Sequence, residues 1–126
     1  MNKKTKKVIK FEPRNEFRWN NNTSHPNYIF GKVGRRYKSM GITHSEYTEV
    51  NGKTKKNMPL EFNPDPKDSK SAYIRHGIIS DNVESYGKKE LKNFRFSETD
   101  SANVKSKRRN YIRRRKEHKK TSKHHR

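Results

Sequence analysis

The tripeptide Thr43-His44-Ser45 sets an imidazole between two hydroxyls. Histidine can take and give a proton near neutral pH, because its ordinary pKa lies there. At the end of a predicted strand such a group can reach a surface cleft and act as acid or base toward a phosphodiester. The same residues also fit a plain structural reading, a strand-end turn whose hydroxyls bond to the backbone. Taken alone, the residues favour the turn.

The usual machinery for phosphodiester hydrolysis is missing. There is no Gly-rich phosphate loop, nucleophile elbow, catalytic carboxylate pair or zinc spacing. Cysteine is absent, which excludes a disulfide framework and any thiolate metal site and fits a reducing compartment. The six histidines, His25, His44, His76, His118, His124 and His125, lack supporting ligands at metal spacing. No metal and no cofactor is therefore expected. RNA is the substrate that can be cut without one, because its own 2′-OH can attack the phosphorus. The protein then supplies a base, an acid and donors for the developing charge, for which His, Arg, Lys, Thr and Ser suffice.

Charge is the stronger signal. Lys107-Arg108-Arg109 and Arg113-Arg114-Arg115-Lys116 are followed by Lys119, Lys120, Lys123 and Arg126. Such a density binds phosphates by releasing their counterions, without reading sequence, and arginine adds forked hydrogen bonds that lysine cannot make. An acidic protein or an acidic membrane surface would attract the same segment. A surface helix needs a broad apolar face, however, and only Val104, Tyr111 and Ile112 supply one here. No run approaches the roughly 18 apolar residues of a membrane span. The basic N-terminus has no apolar stretch behind it, so secretion is not expected and a cytoplasmic location is.

The elements that must position these residues are few. Only 25% of the 126 residues are hydrophobic, against roughly 45–50% in a typical globular chain on a scale that also counts Gly. The net charge of +20 is unevenly spread: +5 over residues 1–24, +4 over 25–100 and +11 over 101–126. Apolar burial must offset about 1–2 kcal/mol of backbone entropy per ordered residue, so order is expected in the middle and disorder in the basic ends. Residues 1–24 read as a flexible basic arm, 25–105 as the domain, and 106–126 as a helical or disordered tail. In the arm, Phe11, Phe17 and Trp19 either dock on the domain or stack on bases.

Within the domain, Tyr28-Ile29-Phe30, a turn at Val33-Gly34 and an alternating Arg35–Thr43 predict a hairpin. Ser45–Val50 continues as a strand to an Asn51-Gly52 turn, Met58–Phe62 is extended, and Asn63-Pro64-Asp65-Pro66 is loop. Ala72–Ile79 and Asn93–Phe96 read as further strands. Asp81 with Glu84, and Ser97 with Asp100, have capping-box spacing and predict two helices. The expectation is a mainly β fold, a small antiparallel barrel with one or two peripheral helices and disordered basic termini.

The order of these segments is similar to that of the PemK/MazF/ToxN-like toxin superfamily. The resemblance is carried by His25-Pro26-Asn27-Tyr28-Ile29-Phe30, Gly41-Ile42-Thr43-His44-Ser45, Met58-Pro59-Leu60, Ser71-Ala72-Tyr73-Ile74 and Phe96-Ser97-Glu98-Thr99-Asp100. It implies an SH3-like barrel over residues 25–105 that binds RNA and, in active members, cleaves it without metal. Thr43 and Ser45 match the residues that line the scissile phosphate, with His44 beside them. His25 stands where that family usually has Arg, and can still act as acid or base. Arg35, Lys38 and Arg75 are candidate phosphate contacts from their strand placement, with Lys107, Arg108, Arg109, Arg113, Arg114, Arg115 and Lys116 as a nucleic-acid anchor.

The expected ligand is nucleic acid, RNA before DNA. Three readings follow: an RNA-binding barrel with toxin-type endoribonuclease activity, a non-catalytic accessory protein of ribosome, phage or mobile element, and a cationic protein that binds an acidic partner. A small acidic antitoxin-like protein is the partner expected under the first.

Overall fold

The computed structural model describes residues 11–110. Strands β1 (Phe11–Asn20), β2 (His25–Val33) and β3 (Arg36–Thr43) form an antiparallel meander. Strands β4 (Tyr47–Val50) and β5 (Lys53–Lys56) pair only with each other, as a separate two-stranded ribbon. Two short strands, β6 (Met58–Pro59) and β7 (Tyr73–Ile74), and then β8 (Ile79–Asn82), complete a six-stranded sheet. A single turn of 3-10 helix spans Val83–Ser85, and α1 covers residues 98–110.

The expected hairpins form where the residues demand them. Gly34 turns β2 into β3 at φ +61°, and Asn51 and Gly52 both take positive φ between β4 and β5. That is the twist-matched two-residue turn that Asn-Gly favours. Phe17, Tyr28, Phe30, Met40, Ile42, Ile74 and Val104 share one buried cluster on a single face of the sheet. The rings of Phe17 and Tyr28 meet Phe96 edge-on, with centroids 5.0 Å apart in each case.

The fold is mainly β, yet the sheet does not close into a barrel. Strand β1 lies at one end of the strand order and β6 at the other. Two features keep them apart. The outer edge of β1 is already occupied by the segment after the 3-10 turn: Gly87 N–H donates to Trp19 O (2.8 Å) and Leu91 N–H to Phe17 O (2.7 Å). Strands β6 and β7 have two residues each, too few to carry a sheet around. Helix α1 covers the apolar face instead, through Val104.

Four other expectations are corrected. Residues 11–20, read as part of an arm, form the edge strand β1, because Phe17 is a core residue; of the two readings for its aromatics, Phe17 docks, whereas Phe11 and Trp19 stay about half exposed. The remainder of the arm (1–10) and of the tail (111–126) lies outside the described residues. Ala72–Ile79 is not one strand: Gly77, at φ +96°, breaks it into β7 on the upper half of β3 and β8 on the lower half. Asp81 does not cap a helix, since it pairs with Tyr37 in β8 and its carboxylate accepts from Asn20 Nδ2 (3.0 Å). Residues 93–96 are not a strand either; Phe94 and Phe96 are held by ring packing on Phe17.

At α1 the capping signal is half right. Ser97 Oγ accepts the Asp100 N–H (3.1 Å), as an N-cap should. The Asp100 carboxylate does not reach back. It is buried and accepts the backbone N–H of Glu61 (2.8 and 2.9 Å) and Phe62 (3.2 Å), tying the loop after β6 to the helix. Asp100→Ala should therefore lower stability by about 2–3 kcal/mol, since bonds to a charged group are worth roughly 1.5–3 kcal/mol. Urea unfolding reads this as a lower midpoint at constant slope, while the exposed Lys105→Ala should change stability by less than about 0.5 kcal/mol.

Candidate nucleic-acid interface

Thr43 ends β3 and is buried at 8% exposure. Its Oγ1 accepts the Ser45 N–H at 3.2 Å, and the Ser45 carbonyl accepts from Asn57 Nδ2 at 2.9 Å. Asn57 is itself buried, exchanges bonds with Thr48 Oγ1, and takes the His76 N–H on Oδ1 at 2.8 Å. These bonds make a strand-end turn, pinned from below by one asparagine. The hydroxyl of Thr43 serves the backbone.

His44 rises out of that turn, exposed, with Nε2 2.7 Å from Asp68 Oδ2. A carboxylate only accepts, so the neutral imidazole carries its proton on Nε2 and leaves Nδ1 free to take another. The Lys70 N–H on Asp68 Oδ1 (3.0 Å) and then the His44 bond hold the Asp68 carboxyl below its usual range. The structure therefore supplies a His-Asp pair that the sequence did not announce. Asp68 is 24 residues away in the proline-rich loop, with no spacing that marks it.

The other candidates divide into two groups. Arg75 belongs with the turn: its N–H donates to Gly41 O (2.8 Å), and its side chain lies over Gly41, two residues before Thr43. Among the described residues its guanidinium has no ion pair or hydrogen bond. His25 pairs with Asn20 at the start of β2, and the β2–β3 ladder stops at Asn27 and Gly41, short of aligning His25 with Thr43. Among the described residues no hydrogen bond joins His25 to Thr43, His44 or Ser45.

Arg35 and Lys38 do not join this group. Eight residues of strand separate Arg35 from Thr43, about 26 Å at ~3.3 Å per residue. Arg35 Nη2 stands 3.7 Å from Glu84, and Lys38 Nζ is 3.3 Å from Ser80 Oγ. On α1, Arg108 lies over the Phe30 ring at 5.3 Å and covers the core, while Arg109 is exposed. Lys107 is half-buried. Arg113, Arg114, Arg115 and Lys116 lie outside the described residues.

Among the described residues no group of three or more His, Asp or Glu side chains is placed to hold a metal ion, and no helix is long and apolar enough to cross a membrane. Comparison of the chain with known protein families, with curated proteins and with solved structures returned no match.

The His44–Asp68 contact has a pH signature. Because the folded value of Asp68 is depressed, the contact helps hold the loop above the ordinary aspartate value of 3.8 and is lost as pH falls through the folded one. A carbon-detected NMR titration should find Asp68 below 3.8. In His44→Ala it should rise toward that value without reaching it, since the Lys70 N–H remains.

Proposed function

We propose that this protein binds RNA, chiefly through phosphate contacts made by cations that the fold leaves unneutralised. The observation that carries this reading is the net charge of +20 together with its placement, +11 of it over residues 101–126. Cations at this density release counterions from a nucleic acid on binding. Trp19, Tyr47 and Phe62 are exposed, and such rings stack on unpaired bases. That favours single strands, hence RNA before DNA. The order of β2, β3, β7 and α1 is compatible with an opened relative of the SH3-like barrel of PemK/MazF/ToxN-like toxins. A small acidic protein is the neutralising partner this reading calls for, and the cytoplasm the compartment.

A second reading, metal-independent RNA cleavage, is favoured by one observation, the His44–Asp68 pair beside Arg75. In that reaction His44 Nδ1 takes the 2′-OH proton, the 2′-oxygen bonds to phosphorus, and the 5′-oxygen leaves with a proton. The products are a 2′,3′-cyclic phosphate and a free 5′-hydroxyl. Arg75 would face the charge that builds on phosphorus. The leaving-group acid is the missing part: Thr43 is committed to the turn, and His25 is not joined to it. Binding without cleavage is therefore the reading we favour.

Raising salt from about 50 to about 200 mM should weaken RNA binding by about 10³–10⁵ if six to ten phosphates are contacted. Fluorescence anisotropy with labelled oligouridylate measures this directly, and a salt-independent affinity would sink the proposal. RNA incubated with the protein in EDTA should stay intact. Fragments ending in cyclic phosphate, abolished by His44→Ala, would establish the second reading.

A further inference from the structure

The segment that covers the edge of β1 also lines a groove of about 880 Å³. Pro66 and Lys67 of the proline-rich loop also line it, as do Leu91 and Phe94. Lys88, Lys89 and Lys92 come from the first segment. All four lysines are exposed, and among the described residues none of their ammonium groups has a hydrogen bond or ion pair. Two carboxylates, Asp65 and Glu90, also line the groove, and they leave the cations in excess.

The lysine-bearing segment is held in place by Arg18. Its Nη1 donates to the carbonyls of Gly87 (2.9 Å) and Lys88 (2.8 Å), and its Nε to Glu16. Burial alone would push the Glu16 carboxyl up, but the hydrogen bonds from Arg18 and Arg14 outweigh it and keep the group below the usual glutamate range. Arg18 is thereby neutralised and spent on the backbone. The neighbouring lysines are not. The result is a concave surface that combines apolar side chains with exposed ammonium groups from two segments.

Its volume lies in the range of small-ligand sites, roughly 300–1,000 Å³, and so admits one nucleotide. We infer that this groove is the seat of a single-stranded RNA segment, with an unstacked base on Leu91 and Phe94 and its flanking phosphates on Lys67, Lys88, Lys89 and Lys92. The inference rests on the RNA-binding reading and gives it a location on the ordered domain. A duplex cannot use the groove this way, because its bases are already stacked and its phosphates are set by the helix. The β4–β5 ribbon carries three lysines, Lys53, Lys55 and Lys56, on a two-stranded hairpin that pairs only with itself.

That contrast supplies the test. K88Q/K89Q/K92Q and K53Q/K55Q/K56Q, made in the full chain, remove equal charge, and of the six positions only Lys55 is half-buried. Anisotropy is read with a labelled oligouridylate and with duplex RNA of the same length over a range of salt. The unaltered chain should prefer the single strand. The groove variant should lose about tenfold or more of single-strand affinity, lose that preference, and flatten the salt slope by about 2, at ~0.7 per phosphate contact. The ribbon variant should keep the preference. Equal effects of the two variants overturn the inference, as does displacement of the RNA by an oligoglutamate of the same length. If the unaltered chain binds no RNA at all, the RNA-binding reading fails and takes this one with it.

Discussion

Strand β2 is covered on both faces, and the way each face is covered determines what the rest of the chain can be. On one side Tyr28 and Phe30 enter the apolar cluster. On the other, Asn27 is fully buried and donates from Nδ2 to Ser39 Oγ (2.9 Å), which shares a 2.7 Å bond with the Tyr86 hydroxyl. Burial raises the Tyr86 pKa, so its hydroxyl keeps its proton and can donate in this chain. A buried amide without partners costs several kcal/mol on the harsher scales. The bond from Nδ2 offsets the donor's share of that cost, while Oδ1 is left without a partner among the described residues. A chain with so few apolar residues can thus bury a strand on two sides, with Ile29 as the fully buried apolar group beside this polar layer. The polar layer also explains the closed edge of β1, because the segment that delivers Tyr86 runs on past Trp19 and Phe17 to Leu91.

The acidic residues follow the same economy. Glu16 fixes Arg14 and Arg18, Asp81 takes Asn20, Asp100 ties α1 to the loop after β6, and Asp68 holds Lys70 and His44. Asp81, Asp100 and Asp68 join segments of the fold, and these three bind amides or an imidazole rather than an ammonium group. Among the described residues, Lys67, Lys88, Lys89 and Lys92 are thereby left facing solvent without counter-charges. Exposed ion pairs would have stabilised little, about 0–1 kcal/mol each, so leaving them unmade costs the fold almost nothing. An excess of free cations is the natural outcome, and it is what a polyanion requires.

Local signals were legible where one residue type has one physical use. Asn51-Gly52 specifies its turn, the alternation of Arg36–Thr43 its strand, and Ser97 its cap. Signals that depend on a distant partner were not. Asp81 and Asp100 have the spacing of capping boxes, yet their carboxylates are claimed by Asn20 and by the Glu61 and Phe62 amides. Phe17 looked like part of an arm because its neighbours are charged, and only the facing rings of Tyr28, Phe94 and Phe96 reveal it as core. The candidate site suffered in the same manner. Thr43-His44-Ser45 was visible as a strand end, but Asp68 and Asn57 lie in other segments, and residues 87–92 are set in place by Arg18 and by the backbone of Phe17 and Trp19, far away in sequence.

This last point bears on where selectivity can reside. Clustered charge binds any nucleic acid and discriminates by salt, not by sequence or strandedness. Discrimination needs rigid groups at fixed positions, since an interaction that must first order its own side chains gives back part of its free energy as entropy. On this domain the fixed groups are Leu91 and Phe94, packed against the core cluster, and the backbone of Gly87 and Lys88, held by Arg18. The His44–Asp68 pair is fixed by one bond at an exposed loop and has no second acid at hand. On the RNA-binding reading proposed above, residues 11–110 are thus better built to choose what is bound than to cut it.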